Sequence, residues 1–149
     1  MIIDDFVGSG DTIVNNIKEY FIPEFCLILK ERKIITIFGI VTGFSEAKEI
    51  IERKINKLGI DAIVIIIDIL DDSDKCFSDS SRIFVTPSEK RKVKHICQSK
   101  GELLEEKYPL GYSDSQTIIA FPMNCPNNTL PIFWKETKNW VPIFKRTYL

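Results

Sequence analysis

KIITIFGIV, residues 33–41, is apolar and β-branched almost throughout. A strand with one face in water alternates apolar and polar residues, whereas a strand covered on both faces by helices does not. The stretch therefore predicts a buried strand of a parallel sheet. The same composition returns at residues 61–68, DAIVIIID. Between them Ser45 can cap a helix that carries Ala47, Ile51, Ile55 and Leu58 on one face, and Gly59 stands where a left-handed stop belongs.

Working back toward the start, Ile13, Ile17, Tyr20 and Phe21 recur at helical spacing until Pro23 interrupts, and a second helical piece covers residues 24–32. Met1 to Ile3 read as the last part of a strand. Strand, helix, strand, helix, strand makes two right-handed crossover units, so the expected fold class is α/β, an open and mainly parallel sheet flanked by helices. Beyond Asp68 the pattern loosens. Residues 68–84, DILDDSDKCFSDSSRIF, are acidic and serine-rich, and Thr86-Pro87-Ser88-Glu89 forms a capping box opening a helix to about Lys100 that ends at Gly101. Thr117 to Phe121 reads as one more short strand. Residues 121–146 hold four prolines and two tryptophans, the composition of an irregular segment packed by aromatics. No repeat or linker divides the chain, and one domain over residues 1–149 is expected.

An apolar fraction of 44%, a charged fraction of 28% and a net charge of −1 are ordinary for a folded protein and give no basis for nucleic-acid affinity. Cys26, Cys76, Cys97 and Cys125 are far apart with only His95 to join them, so neither a zinc site nor a disulfide framework is expected. No positively charged leader opens the chain, and the longest apolar run, Ala62 to Ile67, is far shorter than the ~20 residues of a membrane span. A cytoplasmic protein with reduced thiols follows as the expectation.

The chemistry concentrates in residues 1–13, MIIDDFVGSGDTI. In a parallel α/β sheet, ligands bind beyond the carboxyl ends of the strands, where loops run into helix N-termini. Gly8 and Gly10 let the backbone turn sharply, the helix that follows offers free N–H groups to a phosphate, and Ser9 and Thr12 add hydroxyls. Asp4 and Asp5 beside such a cradle need sugar hydroxyls or a hard cation to meet them, and the combination calls for a ribose phosphate. No lysine follows the glycines, which excludes a Walker loop, and the later glycine of a dinucleotide fingerprint is missing. A helix-entry turn and a solvated loop start are the plainer readings of the same residues.

Residue by residue, IIDDFVGSGDT resembles the phosphoribosyl pyrophosphate (PRPP) motif of type I phosphoribosyltransferases. The resemblance implies that Asp4 and Asp5 face the ribose hydroxyls, that Gly8, Ser9, Gly10, Asp11 and Thr12 wrap the 5-phosphate, and that Mg²⁺ accompanies PRPP, with no metal ligand assigned directly. PLGYSDSQTIIAF, NCPNNTLPIFW and WVPIFKR resemble the C-terminal signature of phosphoribosyltransferase-like domains of bacterial conflict and antiviral systems. Such domains have further strands and a pyrophosphate loop before the acid pair, so this chain is expected to correspond to their C-terminal part. It would then pair with a second copy or a partner subunit that supplies the other half.

Two classes of function follow: a phosphoribosyltransferase acting on PRPP, or a non-catalytic nucleotide-sensing or structural subunit of a larger assembly. Three other groups compete less well. Asp68, Asp71, Asp72 and Asp74 follow a strand and can reach a base or metal, though a solvated charge run explains them. His95 among lysines reads as a surface histidine. Asn127-Asn128-Thr129 beside Trp134 suit base recognition and turn chemistry equally.

Overall fold

The computed structural model describes residues 1–122, 124–144 and 146; Met123 and Lys145 of the aromatic tail lie outside them. Two compact units result, Met1–Leu70 and Asp71–Leu149.

In the first unit, β1 (Ile2–Val7), β2 (Thr36–Phe44) and β3 (Ala62–Leu70) form a parallel sheet in the order β1-β2-β3. Helices α1 (Asp11–Tyr20) and α2 (Pro23–Glu31) join β1 to β2, and α3 (Ser45–Leu58) joins β2 to β3. The α/β class with an open parallel sheet flanked by helices is thus observed. Gly59 ends α3 at φ 62° as expected, its N–H bonded to Asn56 O at 3.0 Å. Ser45 does not cap α3; it is the first helical residue and its hydroxyl donates to Glu46 Oε2.

Helices on both faces were expected from the unbroken apolar strands, and here the structure differs. Two right-handed crossovers that step the same way, from β1 to β2 to β3, must put their helices on the same face. Ile13 and Ile17 of α1, Cys26 and Leu29 of α2 and Ile51 and Ile55 of α3 share one core with Phe38, Ile40, Val64 and Ile66 of the sheet. The alternate residues of the strands stay outside: Ile3, Val41, Ile63, Ile65, Ile67 and Ile69 are all exposed, Ile67 to 76%. Gly39, paired with Ile3 and Ile65, deepens that bare face, whereas Gly43, paired with Val7 and Ile69, is buried. A Cβ on Gly43 would lie 2.2 Å from Val7 Cγ1, so the close approach of β1 to β2 requires glycine there.

The second unit has little regular structure apart from α4 (Pro87–Leu104) and the single turn α5 (Pro131–Trp134). Thr86 precedes α4 without a side-chain cap, so the expected capping box does not form. Gly101 does not end the helix. It lies inside α4 and buried, where a Cβ would stand 2.1 Å from Pro109 O, so it is a packing glycine rather than a stop. The short strand expected at residues 117–121 reduces to isolated bridges, Thr117 with Thr129 and Phe121 with Asn124. Cys76, Phe77, Cys97, Leu110 and Leu130 form this unit's core. The segment from Cys125 to Trp134 is irregular yet mostly buried, the aromatic and proline-rich packing that composition called for.

Candidate functional site

β1 runs four residues further than the sequence suggested, to Val7 rather than Ile3. Its ladder continues through Phe6 opposite Thr42 and Val7 opposite Gly43, so Asp4 and Asp5 lie within the strand and the turn beyond it is only Gly8–Gly10. Gly10 takes φ 82°, a conformation that costs glycine nothing and other residues a steric clash. It feeds directly into α1, whose first turn has no side-chain cap. Ser9 Oγ donates to Asp11 Oδ2 at 2.8 Å, which fixes the carboxylate that begins the helix. Thr12 is exposed on the same turn. Three features of an anion cradle therefore coincide: a glycine turn, two hydroxyls and the first-turn backbone N–H groups that follow Asp11, whose own N–H donates to Ser9 Oγ at 3.4 Å.

Asp4 and Asp5 are neighbours on β1, and their carboxyls remain within reach of one another, since a side-chain bond with Asp5, after burial and charge, contributes to the shift of the Asp4 carboxyl. Asp4 turns toward the helices and is half-buried, while Asp5 is exposed. Asp4 lines a cavity of about 670 Å³ together with Asn16, Tyr20 and Phe25, among others; none of Gly8 to Thr12 lines it. Burial raises the Asp4 carboxyl above its ordinary range, and the nearby Asp5 carboxylate raises it further. The Asp5 N–H donates to Asp4 Oδ1 at 2.9 Å, and this bond offsets part of the rise. An acid held at a raised pKa in an otherwise apolar setting is a recurrent mark of a working site.

Ligand crevices of open α/β sheets form where the strand order reverses. The order β1-β2-β3 contains no reversal, and β1, which carries the acids and the glycine turn, is an edge strand. Asn16 and Tyr20, which share the Asp4 cavity, were not anticipated. Their signal was present, since they sit four apart on α1 beside the buried Ile13 and Ile17.

Of the acidic residues after β3, Asp71, Asp72 and Asp74 make contacts within the fold. Asp68 is exposed on β3 in register with Thr42. Asp71 accepts the Ser73 N–H at 2.7 Å and so caps a short 3₁₀ turn at residues 72–74, and the Ser73 bonds hold its carboxyl below the ordinary range. Asp72 pairs with Lys75 at 2.6 Å and Asp74 with Arg82. Among the described residues no group of three His, Cys, Asp or Glu can hold a metal ion. His95 is exposed on α4, and the four cysteines are free and buried. Of the three polar residues beside Trp134, Asn128 and Thr129 are buried and hydrogen-bonded within the fold, whereas Asn127 lines a cavity. No helix among the described residues is long and apolar enough to cross a membrane.

Compared with known protein families, residues 1–146 match the family model PRTase-CE. No curated protein and no solved structure matches the chain.

Proposed function

We propose, from the premise that this chain belongs to the PRTase-CE family, that it binds PRPP or a ribose 5-phosphate nucleotide at the turn from β1 into α1. The family supports a phosphoribosyltransferase-like function; the ligand is our reading. The observation that carries it is the glycine turn Gly8–Gly10 opening onto an uncapped α1, with Asp4 and Asp5 on the strand just before it. Backbone N–H groups of the first turn and the Ser9 and Thr12 hydroxyls would hold the 5-phosphate. Asp4 and Asp5 would accept from ribose hydroxyls or hold Mg²⁺, an ion that needs only one or two carboxylates when substrate phosphates supply other ligands. That donor set fits Mg²⁺ carried in with PRPP, which would neutralise the departing pyrophosphate. The chain's own part is then to fix the phosphate end and to place carboxylates where positive charge grows at C1 as its bond to pyrophosphate breaks. A nitrogen nucleophile of a nucleobase type would take the ribosyl group.

A second reading is favoured by one observation. The cradle lies on an edge strand of a sheet whose outer face is bare isoleucine. In this reading the chain senses the ligand or acts structurally, as a subunit of an assembly with a second copy or with a partner that adds strands beside β1. A strand added there would create the order reversal at which such crevices form. The resemblance to conflict-system domains extends the proposal to an effector role in bacterial antiviral defence.

Calorimetric titration of PRPP with Mg²⁺ into the full chain tests the site. Saturable heat that disappears in Asp4→Asn/Asp5→Asn is expected; equal heat in both proteins, or none in the wild type, overturns it. Release of pyrophosphate in the presence of candidate bases then separates the enzyme from the sensor.

A further inference from the structure

The ribose-phosphate reading uses Asp4 but not the cavity that Asp4 lines. That cavity is bounded by α1, α2, the first half of β1 and the start of β2, and its volume of about 670 Å³ falls in the range of small-ligand sites. Its inner wall is an aromatic row. Phe21 stacks on Phe38 with ring centroids 6.0 Å apart, and Phe25 meets Phe21 edge-on at 5.5 Å and 63°. Phe21 and Phe38 are buried, whereas Tyr20 and Phe25 are exposed and form the rim.

Asp4 carries the one charged side chain on these walls, and no side chain of opposite sign answers it. Burial acts most strongly on its carboxyl, followed by the Asp5 carboxylate and by the backbone N–H groups of Asp5 and Phe6, with no basic group among the causes. The Met1 α-amino group also borders the cavity. It stands three residues back along the chain, about 10 Å from Asp4 at strand spacing, on a residue exposed to 82%. Asn16 and Thr36 add neutral oxygens to the walls, and neither side chain has a hydrogen-bond partner among the described residues. Both can accept from the further N–H groups of an ammonium.

We infer that this cavity binds a small organic cation with an aromatic body, its ammonium on Asp4 and its ring against Tyr20 and Phe25. A half-buried carboxylate without a basic partner gains most from a cation desolvated beside it. The rings supply the remainder, since they stack on an aromatic body and their faces attract positive charge. A neutral aromatic would leave the acid unpaired, and an anion would be repelled by Asp4 and Asp5 together. A bare metal ion would leave the rings unused. The inference does not rest on the ribose-phosphate reading, with which it shares only Asp4, because none of Gly8 to Thr12 lines this cavity.

The test is calorimetric titration of phenethylamine and tryptamine, of their neutral alcohols and of the matching carboxylates, into the full chain as wild type, Asp4→Asn and Tyr20→Ala. Far-ultraviolet dichroism checks that each variant stays folded; Tyr20 is 63% exposed, so its removal should leave the core intact. At least one amine should bind the wild type about tenfold more tightly than its alcohol, and no carboxylate should bind. Asp4→Asn should erase the preference for amine over alcohol. Tyr20→Ala should weaken the amine about threefold or more. The inference is overturned by an alcohol or carboxylate that binds as tightly as its amine, or by no amine binding to the wild type. It is equally overturned by an amine preference that survives Asp4→Asn, or by amine binding unchanged in Tyr20→Ala. Amine binding by a wild-type chain that gives no heat with PRPP and Mg²⁺ would uphold this inference while the ribose-phosphate reading falls, and the converse result would do the reverse.

Discussion

The two units solve the same problem with different chemistry. Residues 1–70 bury aliphatic side chains at helix and strand periods, and their buried polar residues, Thr36 and Thr42, make no side-chain hydrogen bond that builds the fold. Residues 71–149 have few regular elements, so much of their backbone lacks a ladder or helix partner, and buried hydroxyls take that place. Ser81 donates to Cys76 O at 2.9 Å and accepts from the Ile83 and Phe84 N–H groups. Ser115 and Thr117 both donate to Asn128 O, at 2.6 and 2.9 Å. Thr129 donates to Ile119 O and accepts from Ile119 N–H. The difference shows that an irregular segment can be as fixed as a sheet, provided every buried backbone group finds a partner.

The comparison breaks most readily at glycine. Gly111 sits at φ 92°, and a Cβ there would lie 2.2 Å from Asn128 O and 2.7 Å from Ser115 Oγ, within the polar clamp itself. Gly111→Ala should cost about 3 kcal/mol or more, because backbone strain and overpacking act together. Gly39→Ala in β2 has a normal φ and nearest contact at 3.9 Å, and should change stability by less than about 0.5 kcal/mol. Both tryptophans lie in the second unit, so their fluorescence in a urea titration reports that unit alone. An unchanged midpoint for Gly111→Ala would remove the clamp from the argument.

A smaller effect sharpens the contrast. Thr129 is fully buried, and Thr129→Val keeps its shape while stranding the Ile119 N–H and C=O, at about 1–3 kcal/mol. Ile51→Val in α3 removes one methylene from the aliphatic core, at about 0.5–1.5 kcal/mol. Urea unfolding followed by tryptophan fluorescence for the first and by far-ultraviolet dichroism for the second should rank them in that order. The reverse order would mean that packing, not hydrogen bonding, holds the second unit.

The same contrast explains what the sequence revealed. The strands of the first unit were legible as unbroken β-branched runs and its helices because apolar residues repeat at 3.6, and Gly59 was legible because its helix pattern stops there. The single-faced covering was not, since an isoleucine run reads alike whether helices lie on one face or both; strand order decides that, and order is a long-range property. The second unit defeated periodicity. Gly101 looks like a helix stop and is a packing contact with Pro109, and residues 117–121 look like a strand but pair only through isolated bridges, to which the Thr117 and Thr129 hydroxyls add bonds. The glycine turn of the candidate site was legible as a motif, whereas the separation of Asp4 from it follows from two further residues of β1 that pair with Thr42 and Gly43.

Asp4 is the exception within the first unit, a carboxyl among aliphatic groups, and it gives the smallest effect on stability. Its pKa in the folded chain lies above the ordinary value of 3.8, chiefly because of burial and secondly because of Asp5. The native state therefore takes up a proton before the unfolded chain does. Stability from this group is fully present below 3.8, and is lost as pH rises through the raised folded value. At neutral pH the carboxylate carries a cost that Asn does not, while Asn keeps an oxygen for the Asp5 N–H. Asp4→Asn should thus be slightly more stable than wild type at pH 7, and the gap should close on acidification as Asp4 protonates. Urea midpoints of both proteins by far-ultraviolet dichroism between pH 4 and 7 test this. A variant less stable than wild type at pH 7 would make the carboxylate a structural partner. A variant that is more stable yet fails to bind ribose phosphate would mark Asp4 as a group kept for its ligand against the preference of the fold.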